Sequence, residues 1–183
     1  MRSFIDTHCH LDKLESNPEK SVEEAKQKGV KTMVTISVDE ESFDFVSKAV
    51  KQFKNVYGTV GIHPHDASEF SPKLEKSIRN MAREQDKLIA IGETGLDYHY
   101  MNSSRENQQF AFRKQLQIAV EINLPVVLHS REAEADTINI LKEIPVPALG
   151  VAHSFTNSLK MAKSLLDMGW FLWINGIVTF KNA

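Results

Sequence analysis

The 183-residue chain lacks the features that define several large classes of protein. It has one cysteine, Cys9, so no disulfide can form within the chain, which indicates a reducing compartment. Its strongly apolar runs are under about ten residues, whereas a helix that crosses a bilayer needs roughly 20. Nothing at the N-terminus has the basic and apolar pattern of a signal peptide. We therefore expect a cytoplasmic protein without a membrane partner.

Excess positive charge is also lacking. Lysine and arginine together number 22, against 24 aspartates and glutamates, and the formal net charge is -2. This balance argues against a broad basic face that would hold nucleic acid by counterion release alone. A phosphate-containing substrate would therefore need local help, from a metal ion or from a few placed arginines.

Glycine-rich phosphate loops are missing as well, because no GxGxxG or P-loop motif follows any apolar run. Instead, seven short β-like runs alternate with longer amphipathic segments, which is typical of βαβ units and a mainly parallel sheet. The runs cover residues 3–8, 32–38, 56–63, 88–93, 125–129, 148–153 and 170–174. Their spacing favours a TIM (β/α)8-type barrel over a doubly wound sheet. No linker-like composition divides the chain, so we expect one domain over residues 1–183.

Three of the intervening segments carry clear helix signals. Ser21 is a candidate N-cap for a helix that stops at Gly29. Residues 110–123 have an apolar stripe at helical spacing, and residues 158–169 begin with a capping serine and end with glycine. These segments predict helices between the strands.

Histidines and carboxylates follow the ends of the predicted strands. They are Asp6, His8 and His10 after the first run, His63 and His65 after the third, Glu93 and Asp97 after the fourth, His129 after the fifth and His153 after the sixth. In a β/α barrel these strand ends converge on one face, where the chemistry lies. Imidazole and carboxylate ligands from several strands suit zinc, manganese or a related divalent ion. The sequence therefore predicts a metal centre at this face.

His8 and His10 are two residues apart on a predicted strand, so both imidazoles can reach one ion while Cys9 points away. This direction argues against Cys9 as a nucleophile. Glu93 offers a carboxylate, which can bridge two ions where imidazole cannot. Two adjacent ions can generate hydroxide and stabilise a leaving oxygen, so hydrolysis is the natural reaction.

His63 and His65 flank Pro64, and their roles remain open between metal ligand, substrate contact and general acid. We favour substrate binding or proton transfer, which would make both of them catalytic together with Glu93. The weaker alternative is a mainly structural role for one of them.

Arg131 follows His129 by two residues and is directed to the same face if the strand continues. Its planar guanidinium suits a phosphate, so we predict a substrate-binding role rather than a surface ion pair with Glu132 or Glu134. Asp97 is predicted either to orient a ligand histidine or to hold Arg131 at the substrate.

Six ordered blocks carry a resemblance to a known family: FIDTHCHLD, GIHPHD, IGETGLDYH, PVVLHSREAEADT, GVAHSF and NGIVTFKNA. With these blocks, residues 4–183 resemble the TatD family of metal-dependent hydrolases, within the amidohydrolase-like TIM barrels. The resemblance implies a binuclear centre held by His8, His10, Glu93 as the bridge, His129 and His153. It also implies deoxyribonuclease activity, commonly Mg²⁺-dependent 3′–5′ exonuclease action, with RNA and D-aminoacyl-tRNA as substrates of other members.

The histidine-rich shell adds one expectation about the two divalent ions. Imidazole is softer than magnesium prefers, so we expect Zn²⁺ or Mn²⁺ to bind more tightly even if Mg²⁺ supports activity. DNA is the expected substrate, with RNA second, and we predict no obligate protein partner.

The sequence departs from the family pattern at its end, where it stops before an eighth strand and that strand's metal-binding aspartate. About seven βα units are therefore expected, and we expect activity to be weakened or lost. Two alternatives stay open. One is an amidohydrolase or lactonase, although such enzymes frequently use a carbamylated lysine where this chain has Glu93; the other is a metal-binding pseudo-enzyme.

Overall fold

A computed structural model describes residues 3–181, which fold around one parallel sheet of seven strands in chain order. The strands are β1 (Phe4–Cys9), β2 (Val30–Thr35), β3 (Val56–Val60), β4 (Leu88–Asp97), β5 (Val126–Arg131), β6 (Gly150–Ala152) and β7 (Phe171–Leu172). Helices link the strands: α1 (Pro18–Gln27), α2 (Glu40–Gln52), α3 (Pro72–Glu84), α4 (Arg105–Ile122), α5 (Glu134–Glu143) and α6 (Leu159–Asp167). Short 3₁₀ helices occupy Leu11–Lys13, Pro64–Glu69 and Gly176–Thr179.

The sheet curls into a half-barrel, which confirms the prediction of an incomplete (β/α)8-type barrel with about seven units. Every neighbouring pair of strands is parallel, so all strand ends that carry the predicted site residues lie on the same rim. Within residues 3–181, β1 and β7 each pair with a single neighbour. The last two residues of the NGIVTFKNA block lie outside the described residues.

Strand β4 is longer than the sequence predicts, because it passes through Gly95 and ends at Asp97. Gly95 has φ of +147°, and a Cβ there would lie 1.9 Å from the carbonyl oxygen of His129. Only glycine fits this close approach of β4 to β5. The extended pairing places Asp97 opposite Arg131 in the ladder.

The helix caps are mostly those that the sequence indicates, with one correction. Ser158 caps α6 by accepting a hydrogen bond from the Met161 amide. The prediction that Ser21 begins the first helix is wrong, because Asn17 caps α1 by accepting from the Glu19 amide. Pro18 then occupies the first helical position, where its missing N–H has no cost.

The main core lies between the outer helices and the sheet. It includes Phe112 and Leu116 on α4, which are fully buried with Ile91 and Leu128 of the central strands. Trp170 is also buried there, whereas Phe171 is 67% exposed on the edge strand β7. This core holds the central strands, and hence the strand ends, in fixed positions.

No helix within residues 3–181 has the length and apolar character needed to cross a bilayer.

Candidate metal centre

Glu93 occupies the middle of the rim, where its carboxylate is reached by imidazoles from three other strands or strand ends. Its Oε2 lies 3.4 Å from His8 Nε2, and its Oε1 lies 3.1 Å from His129 Nδ1 and 3.9 Å from His63 Nε2. The residue is only 4% exposed. A buried carboxylate in this arrangement can contribute an oxygen to each of two groups of metal-ligand (donor) atoms.

His8, His10 and Glu93 form the first donor group, with one ligand atom from each within 4.8 Å of the others. The Nε2 atoms of the two histidines face each other at 3.3 Å. Cys9 points the other way and donates its thiol to the Val34 carbonyl, while burial raises the pKa of this thiol to about 12. The thiol therefore contributes neither a ligand nor a nucleophile to the group.

His63, Glu93 and His129 form the second donor group. His129 Nε2 is 2.9 Å from Asp97 Oδ2, and this carboxylate also accepts from His65 Nε2 at 3.2 Å. Because Asp97 fixes a proton on His129 Nε2, the Nδ1 atom is left to face Glu93 as a donor for an ion. Of the alternatives for Asp97, the contacts match orientation of a histidine.

His63 has a contact that bears on its role. Its Nδ1 accepts a hydrogen bond from the His65 backbone amide at 3.2 Å. A neutral imidazole that accepts at Nδ1 carries its proton on Nε2, the atom that faces Glu93. Hydrogen-bond donation from Nε2 is therefore more consistent with this geometry than ligation of an ion through Nε2.

His153 lies beside the first donor group but outside both groups found within residues 3–181. Its ring stacks on that of His8 with centroids 3.5 Å apart and on Trp173 at 4.8 Å. Its Nδ1 atom is buried without a hydrogen-bond partner in the described part of the chain. This orphaned nitrogen beside His8 is consistent with the predicted ligand role.

Burial and neighbouring charges set the protonation of these groups. Burial lowers the pKa of His63 to about 3 and that of His153 to about 4, so both are neutral at pH 7. Burial opposes the charge on Glu93, but hydrogen bonds from His129 and His8 hold its pKa well below the usual range. Burial likewise disfavours the charge on His129, yet Asp97 and Glu93 raise its pKa to about 9.

The residues present fit divalent cations. Neutral imidazoles and an ionised carboxylate are the ligand forms that such ions require. The facing Nε2 atoms of His8 and His10 and the orphaned His153 Nδ1 are polar groups for which a cation is a natural partner. An ion bound beside Glu93 would replace the second proton of His129, whose pKa of about 9 shows that this position favours positive charge.

A cavity of about 440 Å³ opens above the second donor group. Its lining includes Tyr100, Arg131, Ser154 and Thr156 in addition to the histidines and carboxylates. Arg131, predicted to bind substrate, is thus at the mouth of the site. The predicted residues His63, His65, Glu93, Asp97, His129 and His153 also line this cavity.

Sequence reasoning missed two buried glutamines of α4 that hold the backbone beside the site residues. Gln108 accepts from the Asp97 amide and donates to the Asp97 carbonyl, and Gln115 makes the same pair of bonds with Ile62, the residue before His63. Their spacing of seven residues within the apolar stripe was the available signal, because amides on a buried helix face need internal partners.

Asp6, another of the strand-end residues, accepts a hydrogen bond from the His8 backbone amide at 3.1 Å. Its side chain thus caps the strand end and does not contact the imidazole in the described contacts.

The half-barrel with histidines and carboxylates converging on its carboxyl-terminal rim defines a metal-dependent hydrolase. A family profile described as TatD related DNase matches residues 5–183. The chain belongs to the TatD family.

The relatives agree with this assignment. The chain is 38% identical to an uncharacterized metal-dependent hydrolase of Buchnera aphidicola subsp. Baizongia pistaciae, over 98% of this chain and 69% of the relative. It is 35% identical to the uncharacterized metal-dependent hydrolase YabD of Bacillus subtilis, over 98% of this chain and 71% of YabD. The crystal structure of YjjV, a TatD homologue from Escherichia coli K12, superposes with a TM-score of 0.91 and 30% identity, covering 98% of this chain and 71% of YjjV.

A more distant likeness concerns the fold alone. An uncharacterized amidohydrolase from Saccharomyces cerevisiae matches with a TM-score of 0.77 at 21% identity, over 94% of this chain and 67% of that one.

Proposed function

We propose that the chain is a phosphodiesterase that acts on DNA, with RNA as a second candidate substrate, through two divalent ions. The observation that carries this proposal is the position of Glu93, whose two oxygens face different donor groups. The proposed reaction is that of a TatD-type deoxyribonuclease with 3′–5′ exonuclease direction. The ions are proposed to be Mg²⁺, Mn²⁺ or Zn²⁺.

His8, His10 and Glu93 would hold one ion, and Glu93 and His129 would hold the other, with His153 as a further ligand. Ions bound there would activate water and neutralise charge on a phosphoryl oxygen. Asp97 keeps the proton of His129 on Nε2 and so keeps Nδ1 directed at Glu93. Each of these side chains is held by a strand end, which limits its movement.

His63 and His65 supply groups for substrate binding or proton transfer beside the second donor group. Neutral His63 holds a proton at Nε2 and can donate a hydrogen bond from it to the oxygen that leaves the phosphate, which stabilises the charge that develops there. His65 contacts Asp97 through Nε2, and 29% of the His65 side chain is exposed, so this side chain can also reach a substrate in the cavity. The catalytic assignments are therefore Glu93, His63 and His65.

Arg131 favours a phosphate over a neutral carbonyl substrate. In the part of the chain that the structure describes, no carboxylate oxygen lies within 4.0 Å of its guanidinium. Glu132 instead accepts from His99 Nδ1, and Glu134 accepts from the Ser158 amide and hydroxyl. A guanidinium without a carboxylate partner at the cavity is suited to an anionic group.

The test is hydrolysis of a 5′-labelled single-stranded oligodeoxynucleotide with Mg²⁺, Mn²⁺ or Zn²⁺ and with EDTA. We expect metal-dependent products that shorten one nucleotide at a time from the 3′ end. Glu93→Gln should lower turnover at least about 100-fold, because the amide cannot supply the charge that two cations need.

Glu84→Gln, a change at an exposed helix end, is the matched control and should keep full activity. Metal-dependent hydrolysis of lactones or amides without cleavage of the oligonucleotide would favour the amidohydrolase alternative. Metal binding without turnover on either class would favour the pseudo-enzyme.

A further inference from the structure

Tyr100 is an aromatic side chain at the cavity that the proposed reaction does not use. It is 56% exposed although it lines the cavity with His65, His129 and Arg131. Its ring lies edge-on to His65, with centroids 5.5 Å apart. An exposed aromatic ring that lies beside His65 at the cavity is well placed to contact a substrate.

Hydrogen bonds hold the backbone of Tyr100 in place, although its side chain is exposed. Asp97 Oδ1 accepts from the Tyr100 amide at 2.9 Å and from the His99 amide at 3.1 Å. The preceding amide, that of Tyr98, donates to the Arg131 carbonyl at 2.9 Å and so continues the pairing of β4 with β5. The segment is therefore ordered before any substrate binds, which lowers the entropic cost of binding.

Arg131 lies against the same ring. Its guanidinium carbon is 4.8 Å from the Tyr100 centroid, and its neighbour Glu132 is engaged by His99. Stacking on an aromatic face leaves the N–H groups at the guanidinium edge available for an anion. A flat apolar surface and an anion-binding fork are thus adjacent at the mouth of the cavity.

We propose that Tyr100 and Arg131 form a nucleotide-binding subsite, in which the Tyr100 ring stacks on a base and Arg131 binds the adjoining phosphate. Stacking on a tyrosine accepts any base, so the subsite takes single-stranded nucleic acid without regard to sequence. This inference deepens the proposed function, on which it rests, by assigning the unpaired base as a recognised group.

The test is equilibrium binding, measured by fluorescence anisotropy in Mn²⁺, so that it does not depend on turnover. The probes are a labelled thymidine hexamer with phosphorothioate linkages, which resist hydrolysis, and a hexamer of the same backbone in which tetrahydrofuran replaces every nucleoside. Tyr100→Ala should weaken binding of the thymidine hexamer about 5- to 150-fold, because a base stacked on an aromatic ring contributes about 1–3 kcal/mol.

The same variant should leave binding of the base-free hexamer within about twofold, and Tyr100→Phe should restore binding of the thymidine hexamer. Arg131→Gln should weaken binding of both probes, because it removes a phosphate contact. Phe110→Ala is the matched control, since Phe110 is 52% exposed on α4 and does not line the cavity.

Equal weakening of both probes by Tyr100→Ala, or no weakening of either, would overturn the inference. So would a wild-type protein that binds neither hexamer. If the wild type binds the thymidine hexamer and Tyr100→Ala discriminates as expected, but no oligonucleotide is hydrolysed, the subsite stands and the proposed catalytic function fails.

Discussion

Gln108 and Gln115 lie seven residues apart on the buried face of α4, and the side-chain amide of each makes two hydrogen bonds to the backbone of one residue at the carboxyl-terminal rim of the sheet. The partners are Asp97 for Gln108 and Ile62 for Gln115, with distances of 2.8–3.0 Å. Both glutamines are 0% exposed. One rigid helix therefore sets the separation between the segment that carries His63 and the end of β4.

Replacing Gln108 by alanine should destabilise the protein by about 1–3 kcal/mol, because the buried amide and carbonyl of Asp97 lose their partner. The free energy of unfolding is measured by urea denaturation. Gln117→Ala, an exposed change on the same helix, should stay within about 0.5 kcal/mol of the wild type. Similar stabilities for the two variants would contradict a stabilising role for the hydrogen bonds between Gln108 and the Asp97 backbone.

Gly95→Ala should destabilise the protein by about 3 kcal/mol or more, since the new Cβ meets the His129 carbonyl and the backbone φ is unfavourable for alanine. Thermal unfolding is the measurement. Gly176→Ala is the control, because a Cβ at that glycine has no neighbour within 4 Å. A Gly95→Ala protein as stable as this control would show that β4 and β5 do not approach as closely as described.

Added metal should raise the unfolding temperature, and Zn²⁺ or Mn²⁺ should do so at lower free concentration than Mg²⁺, because imidazole ligands favour the softer ions. A free ion concentration of 100 times the dissociation constant adds about 2.7 kcal/mol to the free energy of unfolding. The shift is followed by calorimetry after dialysis against EDTA. His10→Ala should reduce the shift, whereas His99→Ala, which changes a histidine outside the two donor groups of residues 3–181, should preserve it. Equal shifts in both variants would remove His10 from the ligand set.

Asp97→Asn should weaken Mn²⁺ binding about 10- to 100-fold, the usual effect of losing a carboxylate that orients a ligand histidine. Titration calorimetry measures the affinity, and circular dichroism checks that the variant is folded. Asp86→Asn, an exposed change before β4, is the control and should bind Mn²⁺ as the wild type does. Unchanged affinity in Asp97→Asn would mean that His129 does not depend on Asp97.

Most of the fold was predictable from local patterns. Seven apolar runs at strand spacing correspond to the seven strands, and capping signals such as Ser158 mark a helix start correctly. The end of β4 was not predictable, because glycine ordinarily weakens a strand, and only the position of the neighbouring His129 carbonyl explains why Gly95 continues the pairing. The start of α1 was mistaken because Ser21 and Asn17 are both acceptable caps and the choice depends on Pro18.

The sequence indicated which residues meet at the candidate site, but it indicated less about how they are arranged there. Side-chain types at strand ends indicated which residues meet, since parallel strands bring their ends together. The division of histidines between the two sides of Glu93 depends on rotamers and contacts of residues far apart in sequence, such as the stack of His153 on His8. Within residues 3–181, Arg131 has no carboxylate partner because Glu132 and Glu134 contact His99 and Ser158, and these contacts could not be read from the sequence.

The two carboxylate oxygens of Asp97 accept hydrogen bonds from different groups. Oδ2 serves His129 and His65, whereas Oδ1 holds the backbone amides of His99 and Tyr100. The loop after β4 is consequently not an interchangeable module. A graft of this loop onto another barrel would need to bring its own aspartate and matching histidines, and diversification of the loop in the laboratory should keep residue 97 constant while varying the positions beyond it.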